Sequence, residues 1–193
     1  MKNVVYVLKI MLPLVLISAV TVGLLSAVNA FTAPVIEKNE AEALQKNMTE
    51  LFEDGIDAPA VLEYTDKNVR SVYEIKKNGS VIGYCFDVTG SGAYNGKIEV
   101  LVAVNTDGTV RGIRNVKNSE TSSVGVSKVL NNGDYVSLYN GKTIDTYASV
   151  ETRMKDDAAG INTTGATKSA TALKNAVRNA LAAFAEINGK EAG

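Results

Sequence analysis

The chain has 193 residues, no histidine, a single cysteine (Cys85) and a formal net charge of −1. These facts exclude a Ser-His-Asp triad, a His-ligated zinc or haem site, an iron–sulfur cluster within the chain and an internal disulfide. The chain also lacks a basic block, so no nucleic acid is expected as a partner. Cys85 lies between Tyr84 and Phe86 and is predicted to be a buried structural residue.

A long uncharged stretch begins at Ile10. Its most apolar part, residues 10–28, would form a helix of about 28 Å, close to the hydrocarbon thickness of a bilayer. Lys2 and Lys9 precede it, and positive charge on that flank favours a cytoplasmic N-terminus. The sequence therefore predicts a transmembrane anchor in residues 1–30, with the rest of the chain outside. A cleaved signal peptide ending in a small residue is the alternative.

Residues 31–60 are predicted to form a connecting helix. Pro34 lacks an amide donor and restricts the residue before it, so a break is expected at Thr32-Ala33-Pro34. Beyond this break, apolar residues recur at helical spacing on one face, namely Leu44, Met48, Leu51 and Phe52. Asp54-Gly55 and Pro59 are expected to end the helix.

Strand signals dominate the first part of the predicted domain, residues 61–193. Asn78-Gly79 separates two β-rich runs, residues 72–76 and 81–88. Asn-Gly is the strongest short hairpin signal, because both turn positions tolerate positive φ. A glycine-rich stretch from Gly90 to Gly96 is expected to interrupt the sheet after this hairpin.

A second hairpin is predicted from residues 98–104 to residues 110–116, around Asp107-Gly108. Neither an internal repeat nor an alternation of strands and helices accompanies these hairpins. The pattern therefore predicts an α+β fold. In it, an antiparallel sheet of hairpins packs with helices, and one N-terminal transmembrane helix is added.

Helical signals follow the sheet. The sequence allows a short helix from Val124 to Leu130, followed by a turn cluster at residues 131–134. Residues 141–160 give no clear prediction. The clearest helix begins near Thr167 and runs to about Ile187, where Asn188-Gly189 is expected to end it. Its apolar stripe at helical spacing consists of Leu173, Val177, Leu181 and Phe184.

A hydroxyl-rich turn, residues 162–169, leads into this helix. The first N–H groups of a helix have no internal partners and carry partial positive charge, so they bind phosphate readily. Gly165 allows close approach of the backbone, and Lys168 adds a positive charge. A threonine at a helix start is more often an N-cap, however, so these residues alone leave both interpretations open.

Thr164-Gly165-Ala166-Thr167 matches the Ser/Thr-Gly-Ala-Thr motif of extracytoplasmic FMN-binding domains. Over nearly its whole length the chain resembles the RnfG family, the flavin-carrying subunits of the Rnf electron-transport complex. The shared features are the N-terminal span, the glycine-rich stretch leading to Ile98-Glu99-Val100-Leu101-Val102, the Asp107-Gly108 hairpin, Ser119-Glu120-Thr121 and the terminal helix.

This resemblance implies that Thr167 is esterified to the phosphate of FMN. In the family a separate flavin transferase makes the bond, which suits a chain without histidine to activate a hydroxyl. The motif and its flanks add further cofactor-binding positions, Thr164, Gly165, Ala166, Lys168 and Ser169. No metal site and no independent catalytic residue are expected.

The family also has a Glu-Thr pair followed by a Pro-Gly-Leu-Gly-type loop that lies against the flavin. The matching positions imply that Glu120, Thr121 and Gly125 contact it. Residues 122–124, Ser-Ser-Val, differ from the loop pattern, and Ile161 stands where the family usually has Asp.

By the same resemblance, the protein is an electron-relay subunit of a membrane complex that couples electron flow between ferredoxin and NAD to Na⁺ or H⁺ transport. Its partners would be other membrane subunits, the flavin transferase and the lipid bilayer around residues 10–28. Its place would be the inner cell membrane, with the C-terminal domain extracytoplasmic. Two alternatives remain. One is the FMN subunit of a Na⁺-translocating quinone reductase. The other is a cofactor-free membrane-anchored scaffold, which the departures at Ile161 and residues 122–124 favour.

Overall fold

The computed structural model describes residues 2–52, 55–120, 122–155 and 161–191. The chain divides into two compact units, Met1–Leu44 and Gln45–Gly193. Asp54, Thr121, Asp156 and Asp157 lie outside the described residues.

Helix α1 spans Lys2–Phe52 and contains both Pro13 and Pro34. The predicted break at Thr32-Ala33-Pro34 is therefore wrong. An interior proline removes one backbone hydrogen bond, but the segment after Pro34 is rich in Ala, Leu, Glu, Lys and Gln, which favour helix. Within the described residues, the part of α1 from Ile10 onward is long enough to cross a membrane, and it contains an 18-residue window with a mean hydropathy of 2.3. A signal sequence shares these properties.

The second unit contains an antiparallel five-stranded sheet with strand order β1-β2-β3-β4-β5. The strands are β1 (Ala60–Leu62), β2 (Val69–Lys77), β3 (Ser80–Ala93), β4 (Gly96–Asn105) and β5 (Val110–Asn118). Because every neighbour in the sheet is also a neighbour in sequence, all connections are short. The predicted α+β class with an antiparallel sheet is confirmed.

Both predicted hairpins are present. Asn78 and Gly79 have φ values of 53° and 77°, as the tight turn between β2 and β3 requires. The turn between β4 and β5 is closed by Asn105, whose amide donates to the Thr109 carbonyl at 2.9 Å. The predicted interruption at Gly90 to Gly96 is wrong. Strand β3 continues to Ala93 and turns directly into β4, with a register shift after Ser91 absorbing the irregularity.

Between β5 and the C-terminal helix the chain forms short helices. A π-helix spans Ser122–Leu130, where the sequence allows a helix from Val124. Helix α2 (Gly133–Ser137) begins in the predicted turn cluster, and the Asn132 side chain caps it. A 3₁₀ turn covers Tyr147–Ser149.

The C-terminal helix α3 (Thr167–Glu191) packs on one face of the sheet. Its predicted apolar stripe faces strand residues such as Phe86 and Val102 in a common core. Asn175 and Asn179 also donate from α3 to the carbonyls of Ser91 and Thr89, both at 2.9 Å. The helix continues through Asn188-Gly189, so the predicted stop is wrong.

The last turn of α1 packs on the opposite face of the sheet, where Met48, Leu51 and Phe52 are buried as predicted. Arg111 donates from Nε to the Leu51 carbonyl at 2.8 Å. Cys85 is fully buried on this face, and burial raises the pKa of its thiol, which confirms a structural role.

Candidate functional site

The turn before α3 is anchored by Thr163, which is completely buried. Its hydroxyl accepts a hydrogen bond from the Met154 amide at 2.8 Å and donates one to the Thr152 carbonyl at 3.1 Å. The backbone amide of Thr163 also donates to the Met154 carbonyl at 3.1 Å. Sequence reasoning missed this residue, because nothing local distinguishes the buried Thr163 from the exposed Thr164 beside it.

The turn reverses at Gly165, whose φ of 85° is unfavourable for a residue with a side chain. Ala166 is buried next to it and donates to the Thr163 carbonyl at 2.8 Å. This geometry makes Thr167 the first residue of α3. The sequence Thr-Gly-Ala-Thr thus forms a tight turn that places its second threonine, Thr167, at the N-terminus of α3.

The Thr167 side chain is half-buried, and its hydroxyl has no hydrogen-bond partner in the described parts of the chain. Its carbonyl is already used, since it accepts from the Thr171 hydroxyl at 2.8 Å. Thr167 therefore does not cap the helix with its side chain, and its oxygen is available for modification.

Glu120 joins three segments that are far apart in sequence. Its Oε1 accepts from the Asn95 amide at 2.9 Å, and its Oε2 accepts a short hydrogen bond from the Ser169 hydroxyl. Asn95 lies at the tip of the β3–β4 hairpin, Glu120 follows β5, and Ser169 lies in the first turn of α3. The carboxylate is therefore a structural junction at the helix N-terminus.

Gly125 fits closely against this junction. A Cβ atom at Gly125 would lie 2.7 Å from the Ser169 hydroxyl oxygen and 2.9 Å from Glu120 Oε2. Only a residue without a side chain allows the π-helix to approach α3 this closely. Glu120, Gly125 and Ser169, predicted from two separate motifs, are thus brought together, whereas Thr121 lies outside the described residues.

A cavity of about 230 Å³ opens at this junction, next to the turn that carries Thr167. Its lining residues are Tyr94, Glu120, Val124, Gly125, Gly165 and Ser169. Four of these were predicted site residues. Tyr94 was not predicted, because an aromatic residue within a glycine-rich hairpin does not indicate which distant residues it will contact.

Two lysines place positive charge beside the turn. Lys128 donates from Nζ to the Thr164 carbonyl at 2.9 Å, and Lys168 Nζ lies 5.5 Å from the centre of the Tyr94 ring. Together with the N-terminus of α3 they favour an anionic group near Thr167. Lys128 was also not predicted from the sequence, because it contacts the turn from the π-helix, which lies far from the turn in sequence.

Ile161, where the resembling family usually has Asp, is buried in the core. Its apolar side chain suits that environment, so this position contributes packing and no charge. In the described ranges, no group of three or more Cys, Asp or Glu side chains comes together to hold a metal ion.

Comparisons with known proteins cover this part of the chain. Residues 93–182 match the model of the FMN-binding domain family, and residues 12–51 match the RnfG N-terminal region. The first match contains all the residues that line the cavity, together with Thr167.

Several similar proteins match most of the chain. The G subunit of the ion-translocating oxidoreductase complex of Shewanella piezotolerans is 27% identical over 175 residues, covering 85% of this chain and 82% of that protein. The protein of the same name from Erwinia tasmaniensis is 29% identical over 177 residues, with coverages of 86% and 83%. The G subunit of the Na(+)-translocating ferredoxin:NAD(+) oxidoreductase complex of Acetobacterium woodii is 30% identical over 131 residues, with coverages of 62% and 63%.

Two family models therefore match in the expected order along the chain, and the relatives match across both regions. The resemblance drawn from the sequence motifs is confirmed: the chain matches the RnfG N-terminal region and then the FMN-binding domain, and over most of its length it is similar to G subunits of ion-translocating oxidoreductase complexes.

Proposed function

We propose that this protein is an electron-relay subunit of a membrane ion-translocating ferredoxin:NAD oxidoreductase complex, with FMN esterified to Thr167. The observation that carries the proposal is the match to the FMN-binding domain over residues 93–182, which contains both the cavity and Thr167. The names of the relatives from Shewanella and Acetobacterium support the type of complex.

The attachment is a phosphodiester bond. The Thr167 hydroxyl loses its proton, and its oxygen forms a bond to the flavin phosphate as the phosphoanhydride bond of an activated flavin nucleotide breaks. The chain has no histidine, and the Glu120 carboxylate is engaged by Asn95 and Ser169. A separate flavin transferase would therefore supply the base, the activated flavin and the site from which the nucleotide leaves.

The residues around Thr167 suit such a group. The remaining negative charge of the phosphodiester would lie at the N-terminus of α3, with Lys128 and Lys168 nearby. The cavity is smaller than the roughly 300–1,000 Å³ of pockets that enclose a ligand, but a tethered group does not need enclosure to stay bound. When bound, FMN supplies the redox chemistry, and the protein supplies position and electrostatics.

A covalent tether also fits the proposed location. Lys2 and Lys9 precede the apolar part of α1, which favours an N-terminus in the cytoplasm and the FMN-binding domain on the outer face of the inner membrane. Non-covalent binding holds a cofactor only while its concentration exceeds the dissociation constant. Outside the cell membrane that concentration is low, and a covalent bond removes the dependence. The bilayer would hold residues 10–28, and other membrane subunits would exchange electrons with the flavin.

The test is to produce the full chain together with a flavin transferase and to separate it on a denaturing gel under ultraviolet light. A fluorescent band in the wild type and in Thr164→Ala, lost in Thr167→Ala, is expected. Thr164→Ala is the matched control, because it removes the other motif hydroxyl from the exposed side of the same turn. A non-fluorescent wild-type band with an unmodified intact mass would overturn the proposal.

A further inference from the structure

Tyr94 is an exposed aromatic residue at the tip of the β3–β4 hairpin, where 70% of its surface is accessible. A single exposed apolar side chain needs no explanation by itself. Tyr94, however, forms one wall of the cavity at Glu120 and is the aromatic residue among those that line it.

The hairpin tip that carries Tyr94 is fixed from the neighbouring residue. The Asn95 amide donates to Glu120 Oε1 at 2.9 Å, and the Asn95 side-chain nitrogen donates to the Ser119 carbonyl at 2.6 Å. Lys168 Nζ lies 5.5 Å from the ring centre, within the range of a cation–π interaction. The Tyr94 side chain is therefore held in place without being buried. A ligand that packs against it would order the side chain at little further cost in conformational entropy.

Gly165, two residues before Thr167, also lines the cavity. A flat conjugated group attached at Thr167 would find one aromatic face within this cavity, and aromatic rings favour such offset stacking. Val124 and Gly125 add apolar surface and no hydrogen-bonding side chain.

We propose that Tyr94 is the packing partner of the flavin ring, and that Lys168 holds the tyrosine ring in position. This inference rests on the proposed attachment of FMN to Thr167. It adds a ring-contacting residue that lies outside the threonine motif and outside the Glu120 loop.

The test compares one substitution at two tyrosines of the flavin-loaded full chain in detergent. A tyrosine ring in contact with a flavin quenches its fluorescence, because the phenol passes an electron to the excited flavin and receives it back without net reaction. Tyr94→Phe should lengthen the flavin fluorescence lifetime severalfold, since phenylalanine is much harder to oxidise. Tyr64→Phe is the matched control and should leave it unchanged, because Tyr64 bonds Glu186 near the far end of α3.

A second measurement separates packing from quenching. Tyr94→Ala should lengthen the lifetime and also increase quenching of the flavin by iodide in solution, because the ring no longer covers it. Tyr94→Phe should keep the wild-type iodide accessibility. An unflavinylated wild type would overturn the proposed function and this inference with it.

The inference alone fails in two cases. In the first, the wild type carries flavin but both Tyr94 variants keep its lifetime and iodide accessibility. In the second, Tyr94→Ala is not flavinylated while Tyr94→Phe is loaded with an unchanged lifetime. The second result would assign Tyr94 to recognition by the transferase.

Discussion

Replacing Gly125 by alanine tests the closest contact at the site. The added Cβ would lie 2.7 Å from the Ser169 hydroxyl oxygen, 2.9 Å from Glu120 Oε2 and 3.0 Å from Glu120 Cβ. Overpacking of this kind costs roughly 1–3 kcal/mol, and loss of the Ser169–Glu120 hydrogen bond adds about 1.5–3 kcal/mol if the two groups separate. Alanine recovers up to about 1 kcal/mol of helix propensity. With that hydrogen bond lost, we expect the free energy of unfolding to fall by roughly 1.5–5 kcal/mol.

The assay is denaturant unfolding of the full chain in detergent, monitored by circular dichroism. Gly133→Ala is the control, because a Cβ there meets no atom within 4 Å. That variant should be as stable as the wild type or slightly more so. The double variant Gly125→Ala/Ser169→Ala should lose less stability than the sum of the two single variants, since the serine oxygen is the atom nearest to the added Cβ. If Gly125→Ala were as stable as Gly133→Ala, the close packing of the π-helix on α3 would be refuted.

The turn anchor, a buried carboxyl and the membrane topology can each be tested in the same way. Thr163→Val should lower the unfolding free energy by about 1–3 kcal/mol, because it leaves the Met154 amide without its side-chain acceptor; Thr171→Val is the control, and equal losses would contradict the anchoring role. Burial raises the pKa of the Asp87 carboxyl above its ordinary 3.8, so native-state stability should fall as pH rises from 3.8 through the higher folded value. In urea titrations at a series of pH values, the unfolding free energy of Asp87→Asn should not show this fall. The same pH dependence in the variant and the wild type would contradict the assignment to Asp87. Asp145→Cys should react with a membrane-impermeant maleimide in spheroplasts, whereas the wild type, with Cys85 buried, should not; labelling only after lysis would place the domain in the cytoplasm.

The parts of the fold that were predictable are those encoded by local chemistry. Asn78-Gly79 specifies its own turn, because only a few residues accept positive φ, and the hairpin on either side follows from it. The stripe beginning at Leu173 is visible because α3 presents a single face to the sheet. Both signals are contained within a short window of sequence.

The errors came from treating proline and glycine as absolute stops. Pro34 costs one hydrogen bond and some strain, and the strong helix formers after it offset that cost. Gly189 is likewise passed by α3 at a cost of about 1 kcal/mol. Gly90 lies within β3, where an added Cβ would meet the Ala172 carbonyl oxygen, so it serves close packing of α3 and does not break the strand.

At the site, the residues themselves indicated the contiguous turn, and the family resemblance implied that Glu120 and Gly125 lie beside the same flavin, but neither pointed to three further residues. Tyr94, Lys128 and Thr163 act through partners that are 9 to 74 positions away in sequence. Such contacts depend on how the hairpin and the π-helix fold back onto α3, and no local pattern encodes them.

The hydrogen bonds from Asn175 and Asn179 to β3 have a consequence for the timing of electron transfer. Leu173, Val177, Leu181 and Phe184 interlock α3 with the sheet, and the directional bonds to two fixed carbonyls further oppose sliding of its alanine-rich inner face. The first residue of α3 therefore keeps one axial position, to within less than the rise of about 1.5 Å per residue. Tunnelling rates depend exponentially on distance, so a group held at that residue would pass electrons at a uniform rate from one molecule to the next.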